Sequence, residues 1–345
     1  MKEFRISFLV TVVCLAIAGW WGIKTGMGLW TALWLASVLI ILEVSLSFDN
    51  AVVNARVLKH MSALWRQLFL TVGILVAVFG MRLVFPIVIV AVSGDLSVME
   101  TINMALNEPD QYSKVLFDAY PVISVFGGVF LLLVFLHYFF DADKEIHWVG
   151  FLEERLTKIA KFDAISVFIA LAVVFSTRWW VPEIEQARVF VAGVAGVLLY
   201  LAVDAVGALF ESEEEGEDAV KTVQRSGAAS FLYLVVLDAS FSFDGVIGAF
   251  AITKDVVIIM LGLGVGAMFV RSMTVYLVNR GTLNAYVFLE HGAHYAIGAL
   301  AFIMLLGAVF HVPEVVTGLI GVGFIVAAVY SSIQHRKNNA TLAVS

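Results

Sequence analysis

Cysteine is almost missing from this chain. Cys14 stands alone, so no intrachain disulfide can form and no thiolate cluster is on offer for a metal. Charge is scarce as well. Asp, Glu, Lys and Arg make up 14% of the 345 residues, where soluble domains carry about 25%. No basic excess exists: 21 Lys and Arg face 28 Asp and Glu, a net charge of −7, which leaves no surface for nucleic acid. There is no Walker motif for ATP, and Gly262-x-Gly264 lacks the preceding strand that a dinucleotide loop needs. Nor is there a nucleophile, base and orienting group at useful spacing, so an enzyme is not expected. What fills the chain instead is apolar sequence, 61% of residues with a mean hydropathy of +0.96. That composition belongs to an integral membrane protein.

Ten apolar stretches are long enough, or nearly so, to cross a hydrocarbon core of about 30 Å as helices. They fall near 8–24, 30–55, 66–92, 121–141, 164–181, 187–210, 229–252, 255–279, 287–311 and 313–334. Continuous rather than alternating apolarity excludes a β-barrel. The expected fold is an all-α, polytopic membrane bundle. Residues 1–20 contain Ala16-Ile17-Ala18, which has the look of a signal cleavage site, but the first helix is expected to be retained.

Basic residues set the expected orientation. With a cytoplasmic N-terminus, fourteen Lys and Arg fall in cytoplasmic connections; only Lys24, Lys114, Arg178, Arg188 and Lys254 fall outside, and Arg82 and Arg271 lie within spans. Both termini are then cytoplasmic, in a cell or inner membrane. The segment 93–118 becomes an external acidic loop, and 211–228 a cytoplasmic acidic linker. Asp141 and Asp143 are expected to end the fourth helix.

One motif occurs twice, each time deep in apolar sequence. Glu43-Val44-Ser45-Leu46-Ser47-Phe48-Asp49-Asn50 returns 195 positions later as Asp238-Ala239-Ser240-Phe241-Ser242-Phe243-Asp244-Gly245. A carboxylate at the bilayer centre costs at least about 2.5–3.5 kcal/mol. Protonated interhelical hydrogen bonding can explain one such group; four in matched positions point to a function. The copies sit in the second and seventh spans, five apart, so the second unit inserts upside down. Residues 1–181, with motif helix 30–55, and 182–345, with motif helix 229–252, are therefore read as two inverted five-helix repeats. Glu43 lies about 13 residues below the outer end of its helix and Asp238 about 9 above the inner end of its own, both near the midplane.

On a helix, Glu43, Ser47, Asn50 and Asn54 share one face. Asp49 and Asp244 fall six residues after their partners, so they face another neighbour or the helices are interrupted at Ser47–Asn50 and Ser242–Gly245, where Ser, Asp, Asn and Gly are poor helix formers. Interruption is expected in both copies. Carboxylates, hydroxyls, an amide and freed carbonyls are hard oxygen ligands that suit Mg²⁺, Ca²⁺ or Mn²⁺. Glu43, Asp49, Asn50, Asp238 and Asp244 are the expected metal ligands, with Ser45, Ser47, Asn54, Ser240, Ser242, Arg82 and Arg271 in support. Depth permits crossed pairs Arg271–Asp49 and Arg82–Asp244; the alternative is snorkelling to the nearest interface. Asp204, Glu290, His291 and His294 are weaker candidates, the two histidines one turn apart and open to a metal or proton role. Glycines 127, 128, 193, 196, 262, 264 and 266 read as close-packing faces.

At Glu43-x-x-x-Ser47-x-Asp49-Asn50 and again at Asp238–Gly245 the chain resembles the TerC integral membrane family, named for tellurium resistance. It is most similar to a longer branch known only as a domain of unknown function, over roughly residues 30–310. The resemblance implies an exporter superfamily built from inverted repeats, a role in Mn²⁺ export and metal homeostasis, and metal carriage by Glu43, Asp49, Asn50, Asp238 and Asp244. The second copy departs from the first, with Asp238 for the longer Glu and Gly245 opposite Asn50, so the two halves of the site are unequal. The expectation is a secondary transporter with the divalent cation as substrate, exchanged for protons or driven by the ion gradient, and no prosthetic group. Two other expectations are a Ca²⁺ or other cation–proton exchanger, and a non-transporting scaffold whose segments 142–163 and 211–228 dock cytoplasmic proteins.

Overall fold

The computed structural model describes residues 3–73, 76–141, 147–150, 164–211, 219–310 and 312–342; Asp143 and the acidic stretch 212–218 lie outside the described residues. Every element among them is helical. They are α1 (Arg5–Lys24), α2 (Leu29–Leu46), α3 (Phe48–His60), α4 (Ala63–Leu68), π-helical segments Phe69–Gly73 and Val76–Val84, α5 (Phe85–Ser93), α6 (Val98–Asn107) and α7 (Pro109–Phe139). The chain continues through α8 (Ile165–Trp180), α9 (Glu183–Glu211), α10 (Ala219–Ile252), α11 (Val256–Arg280), α12 (Thr282–Ala285), α13 (Leu289–Leu306) and α14 (Glu314–Leu342).

Eight of these helices are long and apolar enough to cross a membrane, and a ninth span is possible if the pair Phe79–Ser93 and Val98–Asn107, bent by 108°, counts as one. The fifth expected span, near 164–181, is helical over Ile165–Trp180 but has 16 residues, short of the ~20 that a straight crossing needs. The outer surface is apolar: Trp30 is 80% and Leu319 67% exposed, which suits lipid and not water. This is a multi-pass membrane protein.

Two connections differ from expectation. Segment 93–118 is not a loop, because Ser97 and Glu100 form a reciprocal capping box that starts α6, and α7 begins at Pro109. The stretch 219–228 is not linker but the first turns of α10, rich in the helix formers Ala, Lys, Gln and Arg. A third connection agrees with expectation: Asp141 lies just beyond α7, which ends at Phe139. Other ends follow local chemistry. Asp255 caps α11 by accepting from the N–H groups of Val257 and Ile258 at 3.0 Å, and Gly281, at φ +60°, closes its far end in the left-handed conformation.

Helices α7 and α13 form the buried centre and pack on each other, while α2 lies against α1, α11 and α14. Glycine sets the closest of these approaches. A methyl group added at Gly262 would stand 2.6 Å from Leu39 Cβ, and one at Gly196 2.6 Å from the Phe126 carbonyl oxygen. In both places the glycine faces are close-packing faces.

Candidate functional site

The first motif breaks its helix and the second does not. Backbone φ −101°, ψ 18° at Ser47 separates α2 from α3, whereas α10 runs unbroken through Ser242–Gly245. The expected second interruption is absent because continuous packing of α10 against α3, α7 and α11 outweighs its weak local propensity.

Glu43 sits in the last turn of α2, 2% exposed. Its Oε1 accepts from Ser47 Oγ at 2.9 Å and from the Arg82 guanidinium, a buried ion pair. The carboxylate is clasped by two glycines. A methyl group at Gly266 would lie 2.4 Å from Glu43 Cβ and Cγ, and one at Gly245 3.1 Å from Oε2. Gly245, the second-copy departure from Asn50, thus makes room for the other copy's carboxylate.

Asp49 lies in the first turn of α3, where the helix dipole favours an acid, and its Oδ1 accepts from the Asn50 N–H at 2.9 Å. Asn50 Nδ2 donates to Asp238 Oδ1 at 2.7 Å. The two copies therefore touch, side chain to side chain. The Oδ1 atoms of Asn50 and Asn54 are buried without a hydrogen-bond partner among the described residues, an unfavourable state for an amide oxygen.

Two small cavities flank Glu43 and Ser47. One, about 40 Å³, is lined by Asn50, Asn54, Asp238, Arg82, Arg271 and Thr274 beside that shared wall. The predicted stripe of Glu43, Ser47, Asn50 and Asn54 does face a single space. The other, about 30 Å³, is lined by Asp49, Asp244, Gly245, Phe241, Thr317 and Gly321 beside the same wall, and no basic side chain is among its described lining residues. Thr317 Oγ1 is buried there without a hydrogen-bond partner among the described residues, and the Tyr120 hydroxyl stands 3.4 Å from Asp244 Oδ1. Each cavity has room for a water molecule or two, at ~10–15 Å³ apiece.

Both arginines have partners other than the Asp49 and Asp244 that depth permitted. Arg82 is bonded to Glu43 and lines Asp238's cavity, and Arg271 Nε donates to the Leu70 carbonyl at 2.8 Å in that same cavity, away from Asp49. Depth counted along an α-helix misplaces Arg82 because Val76–Val84 is π-helical. Pro86 has no N–H for the Arg82 carbonyl, which disfavours the α-helical register there. The five expected ligands are divided between the cavities, and no three His, Cys, Asp or Glu among the described residues are placed to share one ion. Of the supporting residues, Ser45 bonds back to the Ile41 carbonyl and Ser240 to that of Val236, neither lining these cavities, while Ser242 is buried. Thr317 and Tyr120 had no sequence signal: each is a lone hydroxyl in an apolar stretch.

A larger cavity of about 500 Å³ collects several of the weaker candidates, with Arg56, His137, Asp141, Asp204, Tyr233 and His294 on its wall. Glu290 forms an ion pair with Arg56, which lies 5.1 Å over the Tyr138 ring. His294 stacks on Tyr138 with ring centroids 3.7 Å apart, and His291 meets the same ring edge-on at 5.6 Å. The histidines flank an aromatic ring and do not converge on one point.

The chain belongs to a protein family of unknown function, DUF475, whose model matches residues 48–339. That stretch begins just past Glu43 and includes Asp49, Asn50, Asp238 and Asp244. No curated protein and no solved structure matches.

Proposed function

We propose that this protein is a secondary transporter that exports a divalent cation, Mn²⁺ before Ca²⁺, across the cell membrane. The observation that carries this reading is the basic-free cavity, where Asp49 from one motif copy and Asp244 from the other meet beside Glu43 with Thr317 Oγ1 unsatisfied. Its volume of about 30 Å³ suits a dehydrated ion and is too small for an organic solute. Oxygen ligands of this kind favour hard cations, and likeness of the motif to the TerC family supports Mn²⁺ among them. Two copies meeting at the centre are what two inverted repeats rocking about a midplane site would need. Because the ligands bind as carboxylates, a proton arriving from one side lowers affinity on that side, which couples export to proton entry. The segments at either end of the bundle, with both termini cytoplasmic, complete the reading.

Thermal stability of the purified full chain, titrated with Mn²⁺, Ca²⁺, Mg²⁺ and Zn²⁺, tests it. Mn²⁺ is expected to stabilise the parent, and Asp49→Asn and Asp244→Asn each to abolish the effect. Equal stabilisation of parent and variants would remove the site, and stabilisation by none of the four ions would favour a non-transporting scaffold.

A further inference from the structure

The cavity lined by Asn50, Asn54 and Asp238 is capped at one end by an apolar cluster. In three walls a single helical turn separates a cavity-lining residue from a member of that cluster: Asn54 from Leu58, Thr274 from Val278 and Asp238 from Leu234. Leu58, Met61, Phe69 and Leu234 are the buried heart of the cluster, with Trp65 and Phe231 packed on it. Phe69 belongs to both, since it also lines the cavity. The rings of Phe69 and Trp65 stand 6.2 and 5.9 Å from that of Phe231. At this end the chain carries Lys59, Arg66 and Arg280, basic residues of the kind that mark a cytoplasmic face. Arg66 holds the rim, its Nε donating to the Leu58 carbonyl at 3.1 Å and its Nη2 to that of Met61 at 3.3 Å.

We propose that Phe69 is the movable part of a gate between the cytoplasm and this inner cavity, shut in this structure. The inference rests on the transport reading, which needs each face of the centre closed in turn. Three observations single out the Phe69 edge of the cluster. Its backbone is π-helical over Phe69–Gly73, and such turns are rare and concentrate at functional sites. The ring lies on bare Gly73, where an added methyl group would stand 2.9 Å from it. One turn back, Trp65 Nε1 is buried without a hydrogen-bond partner among the described residues, a cost that water entering an open gate would relieve. Bare Gly227 permits that closed fit, since a methyl group there would lie 2.1 Å from the Trp65 ring. On the cavity side, the Oδ1 atoms of Asn50 and Asn54 are also unsatisfied, so opening hydrates orphaned groups on both sides of Phe69. A closed state that carries these costs opens more readily than one in which every polar group is paired.

Thiol labelling of the full chain in vesicles tests the gate without any cation present. In a Cys14→Ser background, Asn54→Cys or Thr274→Cys places a thiol in the cavity, and Lys59→Cys, at an exposed position, marks the face beyond the cluster. A small membrane-impermeant methanethiosulfonate, added at the face where Lys59→Cys reacts, is expected to label either cavity thiol slowly. Phe69→Ala should raise that rate at least about tenfold by removing the ring. Gly73→Ala should raise it as well, by displacing the ring. Trp65→Phe removes the unsatisfied N–H while keeping an aromatic ring, and should slow labelling about fivefold. Ala301→Cys, wholly buried in the core, should stay unlabelled in every background. Unchanged labelling in Phe69→Ala overturns the proposal, as does labelling in Trp65→Phe at or above the parent rate. Labelling of Ala301→Cys alongside the cavity thiols also overturns it, because the whole bundle would then have loosened. If Phe69→Ala does not fold, Gly73→Ala decides by the same criteria. Proteoliposomes that move no divalent cation defeat the transport reading itself, a result distinct from any labelling outcome.

Discussion

Gly266 and Asn50 carry the geometry of the centre at the scale of single residues. Gly266 lets α11 lie against the stem of Glu43, where an added methyl group would stand at 2.4 Å. Gly266→Ala is expected to cost about 1–3 kcal/mol through overpacking, read as a lower Tm, and to abolish the response to Mn²⁺ because Glu43 itself must shift. The Asn50–Asp238 hydrogen bond at 2.7 Å joins the motif copies. A double-mutant cycle on stability with Asn50→Ala and Asp238→Ala should show coupling of about 0.5–3 kcal/mol; strictly additive losses would mean that the copies do not meet. The contact was foreseeable, since matched acids in duplicate apolar spans have reason to pair. Its partner was not. Nothing in Asn50 or Arg82 as letters says which of four carboxylates each will meet.

Among the elements, the π-helical segment has the largest consequence. Pro86 withholds an N–H from the Arg82 carbonyl, and the wide turns of Val76–Val84 bring the guanidinium to Glu43. Pro86→Ala restores a donor and allows an α-helical register to spread toward Arg82. Thermal stability is expected to hold or rise while Mn²⁺ efflux is lost; efflux at the parent rate would separate the π-helix from function. The apolar stretches were legible as helices because twenty-odd apolar residues in a row have few other solutions. Breaks were harder. Ser47 and Ser242 sit in near-identical local sequence, yet only the first ends a helix. Packing decides between them, and packing is not a local property. The same holds for segment 93–118, where acidic residues suggested a loop but Ser97 and Glu100 supplied a helix start that spacing alone could have revealed.

Taken as a whole, the molecule is an apolar-coated bundle around a small polar centre, in which both arginines line one of two cavities and none lines the other among the described residues. Orientation is an expectation from the basic residues. In a Cys14→Ser background, single cysteines at Asn103 and at His147 should be labelled from opposite sides of the membrane, the first from outside. Labelling of both from one side would refute the arrangement. The centre explains why the motif was readable and the site was not: composition gives the ligand types, but their division by Glu43 emerges only from three helices meeting. The most direct measurement of the central claim is Mn²⁺ flux in proteoliposomes of the full chain, parent against Asp49→Asn and Asp244→Asn. The account predicts flux by the parent, stimulated by an opposing proton gradient, and none above empty liposomes for either variant. Parent-level flux in both variants would contradict it.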